Sequence, residues 1–78
     1  MANKRLKSII LEVVDNQIDS NDPPVARITY ERLLGLGYTG QHAKERIGSV
    51  VATEIYGIMK NNESFDEARY TKSLNKLK

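Results

Sequence analysis

A glycine-rich corner followed by a long amphipathic segment constrains this chain more than any other feature of its sequence. Gly35, Gly37 and Gly40 lie within six residues, where freedom of the backbone permits a sharp change of direction. Residues 41–60 then place apolar side chains at intervals of three and four, which is typical of a helix with one buried face. The apolar positions of that face are Ile47, Val50, Val51, Ile55 and Ile58. We therefore expect a helix over about 40–60, entered through the tightest turn of the molecule.

The ends and the interior of this long helix carry signals of their own. Thr39 is predicted to be the N-cap, because its hydroxyl can accept a backbone N–H of the first turn. Asn61-Asn62 is predicted to end the helix, since asparagine tolerates the left-handed backbone conformation. Gly48 and Gly57 each lower the helix propensity by about 1 kcal/mol relative to alanine. We expect another helix to approach closely at these two glycines.

Three shorter helices are predicted before and after this unit. The first covers about 4–19 and carries an apolar stripe, and the second covers about 25–34, after two prolines that end the first. The last covers about 65–76 and begins at a capping box in which Ser64 accepts a backbone N–H and Glu67 reaches back. The sequence shows no strand pattern. It therefore predicts an all-α fold, a small four-helix bundle in one domain (1–78), with the long helix at its centre and in contact with the other three.

Length and composition limit the classes of protein that this chain can belong to. A chain of 78 residues, 40% hydrophobic and 28% charged, is typical of one small globular domain with a thin core. The absence of cysteine excludes disulfides, thiolate zinc sites and cysteine nucleophiles. No signal peptide and no apolar run of about 18 residues is present. We expect a cytoplasmic protein that does not act at a membrane.

The sequence offers little for catalysis. Its one histidine, His42, falls on the side of the long helix opposite the apolar face. Gly35-Leu36-Gly37 lacks the third glycine and the preceding strand of a dinucleotide-binding fingerprint, and no phosphate-binding loop occurs. Asp66-Glu67 is accounted for by the predicted cap. We expect no catalytic residue, no metal site and no cofactor, hence a protein that is not an enzyme.

The corner is the first candidate binding site. The residues expected to meet a partner there are Leu36, Gly37, Tyr38, His42 and Arg46. Leu36-Gly37-Tyr38 resembles the Met-Gly-Phe/Tyr corner of ubiquitin-associated-type modules, which implies a protein partner. The helix–corner–helix order also resembles a helix-turn-helix, in which residues near the start of the second helix contact nucleic acid. A protein partner of unknown identity is the favoured interpretation.

The charge of this chain is segregated along the sequence, although its overall charge is weak for a nucleic-acid-binding protein and its middle is acidic. Seven basic residues and no acid lie at the two ends of the chain, whereas residues 8–68 carry five basic and ten acidic side chains, a balance of −5. The basic residues at the ends are Lys4, Arg5, Lys7, Arg69, Lys72, Lys76 and Lys78. These ends would form one positive patch if they met in space, and otherwise serve solubility.

Two polar residues interrupt the apolar faces. Gln17 falls near the centre of the stripe on the first helix, and Glu54 does so on the long helix. Because unpaired polar groups are costly to bury, either the Gln17 amide donates to Glu54 or each finds an Arg, a Tyr hydroxyl (Tyr30 or Tyr70) or a backbone group. A polar spot that binds a partner is the functional alternative. In addition, Leu11, Tyr56 and Met59 lie off the main stripes and predict a homodimer.

A broader resemblance covers most of the chain. The segments that carry it are EVVDNQ (12–17), DPP (22–24), YERL (30–33), AKERIGSVV (43–51) and FDEARY (65–70). In this order they resemble a family of short bacterial all-helical domains of unknown function. Relatives in that family carry more histidines near the start of the long helix, whereas this chain keeps only His42. The resemblance implies a bacterial, cytoplasmic, helical domain and no activity.

Overall fold

Four helices make up the protein in a computed structural model that describes residues 4–78. They are α1 (Lys4–Ser20), α2 (Pro24–Gly35), α3 (Gly40–Asn61) and α4 (Glu67–Asn75). The part of the chain described contains no strand. The predicted fold class, a small all-α four-helix bundle, is therefore confirmed. None of these four helices is both long enough and apolar enough to span a bilayer.

Helix α3 lies at the centre and packs against α1, α2 and α4. The largest fully buried side chains come from all four helices, so one core joins them. They are Val14, Thr29, Leu33, Ile47, Tyr70 and Leu74. Helix α2 also contacts the three others, which the apolar pattern of its short sequence does not indicate.

Glycine permits close packing at one of the two positions predicted for it. A Cβ atom on Gly48 would lie 3.2 Å from Cγ2 of Ile10, so α1 and α3 approach each other here as closely as side chains allow. A Cβ atom on Gly57 would meet nothing within 4 Å. The expectation of close approach is therefore correct at Gly48 and wrong at Gly57.

Both predicted ends of the long helix are found. The Thr39 hydroxyl accepts a hydrogen bond from the backbone N–H of His42 at 3.1 Å, and Asn62 takes the left-handed conformation with φ of 53°. The turn before α3, residues 36–39, is not the tightest, however. Helices α1 and α2 are joined by three residues, 21–23, because Asn21 adopts a positive φ of 56° and Pro24 can start α2 immediately.

The start of the last helix corrects a prediction. The N-cap is Asp66, whose carboxylate accepts the backbone N–H of Arg69 at 3.1 Å, and α4 begins at Glu67 instead of 65. Ser64 therefore does not cap this helix. The later start lets Phe65 pack edge-on against Tyr70, with ring centroids 5.5 Å apart, as a hydrophobic staple across the cap. This packing favours Asp66 over an otherwise equivalent serine.

Candidate functional site

The corner between α2 and α3 is built by a Schellman motif. The N–H of Gly37 donates to the Leu34 carbonyl at 3.0 Å, and the N–H of Tyr38 donates to the Leu33 carbonyl at 3.2 Å. Gly37 has φ of +104°, a conformation that L side chains rarely adopt. The motif ends α2 at Gly35 and holds the following residues in an ordered turn, with Leu36 exposed and Tyr38 half-buried.

An open groove of about 490 Å³ runs along this corner. Its lining consists of Leu36, Gly37, Tyr38, Thr39, His42 and Lys78. Four of the five residues predicted for a partner-binding corner are among them. The fifth, Arg46, lies beside the groove, with its guanidinium carbon 5.9 Å from the centroid of the Tyr38 ring. The structure thus brings all five predicted residues to one place.

Two lining residues were not predicted for the corner: Thr39, which was predicted only as a helix cap, and Lys78, which lies far away in the sequence. Lys78 is held in place by hydrogen bonds. Its backbone oxygen accepts hydrogen bonds from the Tyr38 hydroxyl and from Nη2 of Arg46, the latter at 3.5 Å. Arg32 secures the same segment, since its guanidinium donates to the carbonyls of Leu77 at 2.6 Å and Leu74 at 2.9 Å. The residues that these contacts join are separated by 32 to 45 positions in the sequence, so no local sequence pattern predicts them. The residues that follow α4 therefore form one wall of the corner.

The two polar residues of the apolar faces lie in a separate cluster. Glu54 is only 7% exposed, and both of its carboxylate oxygens accept hydrogen bonds from Arg69, the shortest being 3.0 Å from Nη2 to Oε1. Nη1 of Arg69 also meets Glu63 at 3.3 Å. Glu54 and Glu63 together raise the pKa of Arg69 above its ordinary value. Glu54 is thus the counterion of an arginine on α4.

Gln17 has a different partner. Its Oε1 accepts a hydrogen bond from the Tyr70 hydroxyl at 2.7 Å. Gln17 and Glu54 therefore do not bond to each other as the first predicted arrangement required; each has its own partner on α4, a tyrosine hydroxyl and an arginine, as the second predicted. Burial, and to a smaller degree the charge of Glu54, raises the pKa of Tyr70 to about 12, although the bond to Gln17 opposes this shift. A neutral tyrosine and a carboxylate bonded to arginine are suited to holding helices together.

Carboxylates bind some of the basic side chains at the ends of the chain. Lys7 forms a salt bridge with Glu45 at 3.1 Å, and Arg69 is bound to Glu54 and Glu63. The Lys7 contact lowers the pKa of Glu45. The side chain of Lys4 lies outside the residues described. Two of the seven basic side chains at the ends are therefore paired with carboxylates, which reduces the positive potential that they offer to a nucleic acid.

Clusters of metal-ligating side chains and similar proteins are two further sources of information on function. Within residues 4–78, no three histidine, aspartate or glutamate side chains come together in a way that would hold a metal ion. Comparisons with family models, with curated proteins and with solved structures found no match to this chain. The interpretation of the corner and of the polar cluster therefore depends on their geometry.

Proposed function

We propose that this chain is a non-enzymatic protein-interaction module of the bacterial cytoplasm and that it receives its partner at the corner between α2 and α3. The observation that carries the proposal is the exposure of Leu36. This side chain is 58% exposed in the wall of an open groove, although the turn around it is held by two backbone hydrogen bonds. A turn that is already ordered loses little conformational entropy on binding, which favours the burial of its apolar side chain against a partner.

The chemistry of the groove favours an apolar side chain flanked by acidic residues as the occupant. Leu36 and the ring of Tyr38 supply apolar contact, while Arg46 and Lys78 place positive charge at the rim. Tyrosine and arginine are also the residue types that contribute most often to binding energy at interfaces. The polar cluster at Glu54 is assigned a structural role instead, because Arg69 already occupies both oxygens of its carboxylate.

Photo-crosslinking in cells tests this proposal. With p-benzoylphenylalanine in place of Leu36, we expect a discrete covalent adduct between the chain and one other protein. The same substitution at Ile28, which is 60% exposed on α2, is the matched control and should give no such adduct. Leu36→Ser should then weaken the purified complex at least ~10-fold, and Ile28→Ser should leave it unchanged. Equal adducts at both positions would refute the corner as the binding site.

Nucleic acid is the alternative that the basic ends and the helix-turn-helix resemblance leave open. Binding of a random-sequence duplex DNA, followed from about 50 to 200 mM salt, separates the two proposals, because phosphate contacts make affinity fall steeply with salt. We expect only weak, non-specific retention that disappears at physiological salt. Sequence-selective binding that persists at physiological salt would replace the protein-interaction proposal.

A further inference from the structure

A second depression, separate from the corner, lies between α1 and α3. It encloses about 220 Å³, and its walls are mainly apolar. Ile10 and Leu11 contribute the α1 side, and Glu45, Gly48, Ser49 and Ala52 contribute the α3 side, with Lys7 at one end. None of these residues lines the corner. We refer to this depression as the α1–α3 groove.

The α3 side of the groove has the geometry of a helix-packing hole. Positions 45, 48, 49 and 52 are spaced i, i+3, i+4 and i+7, which on a helix surface form the four-residue diamond that receives one side chain of a facing helix. Glycine, serine and alanine occupy three of these four positions, so α3 itself fills little of the diamond. Side chains of α1 already pack over Gly48, where a Cβ atom would lie 3.2 Å from Ile10, so a side chain of a second helix would take the part of the depression that α1 leaves open.

A large side chain of the required kind lies on the same face of α3. Tyr56 follows Ala52 by one helical turn and is 64% exposed, and Met59 follows it and is 79% exposed. At about 100° per residue, Ala52, Tyr56 and Met59 fall within roughly 60° of one another. This face of α3 therefore presents a hole in its first half and two exposed apolar side chains in its second half.

We propose that a second copy of this chain docks on this face, with the two α3 helices antiparallel and Tyr56 of each copy inserted into the α1–α3 groove of the other. A surface that carries both hole and knob is self-complementary, which is the requirement for a twofold-symmetric interface. The centre of the hole lies between Gly48 and Ser49, and the knob is Tyr56. The twofold axis consequently passes close to Ala52.

Charge complementarity supports the same register. Glu45 precedes Ala52 by seven residues and Lys60 follows it by eight, so an axis at Ala52 places Glu45 of one copy against Lys60 of the other. Both side chains are accessible on this face, where Lys60 lies 5.6 Å from the centroid of the Tyr56 ring and Glu45 meets Lys7. A parallel arrangement would instead set Glu45 against Glu45. Antiparallel packing is therefore favoured by shape and by charge.

Cysteine crosslinking tests the position of the axis directly, because the chain contains no cysteine of its own. Packed helices with small residues at their contact lie about 8 Å apart, so that equivalent residues on the axis come within reach of a disulfide. Ala52→Cys should form a covalent dimer under mild oxidation. Asn16→Cys, exposed on α1, is the control and should remain monomeric. Equal rates of dimer formation at the two positions would overturn the proposal.

Sedimentation equilibrium over a concentration series tests the knob and the charges. We expect a monomer–dimer equilibrium whose Kd rises at least ~10-fold in Tyr56→Ala, while Leu36→Ser at the corner leaves it unchanged. Glu45→Lys and Lys60→Glu should each weaken the dimer, and the double variant should regain much of the loss. Circular dichroism should show each variant folded, since Tyr56, Glu45 and Lys60 lie at the surface.

Three results would contradict this proposal. One is a monomer at every concentration up to about 1 mM, which would place the Kd of any dimer above that concentration. Another is a double charge variant no better than the worse single variant. The third is that p-benzoylphenylalanine at Met59 captures a different protein and never a second copy, which would assign the groove to a heterologous helix.

Discussion

Tyr70 links the polar cluster to the core at the scale of single residues. Its ring is buried and packs against Phe65, and its hydroxyl bonds to Gln17 on α1. Arg69, which precedes Tyr70 on α4, donates hydrogen bonds to Glu54 on α3, so α4 is also bound to α3. A buried carboxylate bonded to an arginine adds little net stability compared with an apolar pair but specifies which helices meet. The cluster therefore links α4 to defined positions on α1 and α3.

The raised pKa of Tyr70 leads to a prediction for alkaline pH. Between pH 10, where tyrosine in the unfolded chain loses its proton, and pH 12, where folded Tyr70 does so, only the folded state keeps the proton. The stabilisation that protonated Tyr70 gives the folded state is fully present below about pH 10 and is lost as the pH rises toward 12. We expect a loss of about 1–2 kcal/mol in the free energy of unfolding that Tyr70→Phe does not suffer.

Urea denaturation at pH 8 to 11.5 measures this difference. At pH 8 the wild type should be more stable than Tyr70→Phe by about 0.5–1.5 kcal/mol, because the bond to Gln17 is intact. The gap should then close as pH rises. Loss of the lysine salt bridges at alkaline pH, such as that of Lys44 with Asp15, affects both proteins alike. Two stability curves that stay parallel would contradict the prediction.

At the scale of helices, the two glycines of α3 serve different purposes. Gly48 allows α1 to approach, because a Cβ there would lie 3.2 Å from Ile10. Gly57 has no such neighbour. Gly57→Ala should therefore raise the free energy of unfolding by about 0.5–1 kcal/mol, the difference in helix propensity between the two residues.

Gly48→Ala is the matched comparison for this prediction. This substitution raises the helix propensity by the same amount but requires Ile10 to shift. We therefore expect the free energy of unfolding of Gly48→Ala to be lower than that of Gly57→Ala by about 1–2 kcal/mol. Thermal or urea unfolding at low micromolar concentration, where self-association contributes least, checks both variants. A greater stability of Gly48→Ala than of Gly57→Ala would show that the helices separate at no cost.

Local signals in the sequence were sufficient to predict most helix positions. The Thr39 cap and the Asn62 stop depend only on neighbours in the chain, and both are found. The choice between Ser64 and Asp66 as a cap was not predictable in this way. Both residues can accept a backbone N–H, and the outcome depends on how Phe65 packs and where Arg69 finds Glu54.

The composition of the candidate corner was predicted only in part, for the same reason. Leu36, Gly37, Tyr38 and His42 are close in sequence, so their proximity in space follows from one turn. Lys78 reaches them only because α4 folds back across α2, guided by contacts between residues 45 positions apart. Apolar periodicity shows which face of a helix is buried but does not show against which neighbour.

For the molecule as a whole, the attachment of α4 depends on Arg32. Its guanidinium donates to the carbonyl of Leu74 in the last turn of α4 and to the carbonyl of Leu77 just beyond it. The Leu74 carbonyl also accepts the backbone N–H of Leu77 at 3.1 Å. Arg32→Met keeps the apolar stem of this side chain and removes both hydrogen bonds. Because bonds from a charged donor contribute about 1.5–3 kcal/mol each, the loss of both should accelerate amide exchange in α4 at least ~100-fold.

Native-state hydrogen exchange resolves this effect by helix, and Arg27→Met, on the exposed face of α2, is the matched control. In Arg32→Met, α4 should lose protection while α1 and α3 keep most of theirs, since their shared contact at Gly48 is untouched. The wall that Lys78 contributes to the corner should open at the same time, because α4 carries it. Equal acceleration in all four helices would mean that α4 unfolds only together with the rest of the bundle, and the corner would then be as rigid as the core.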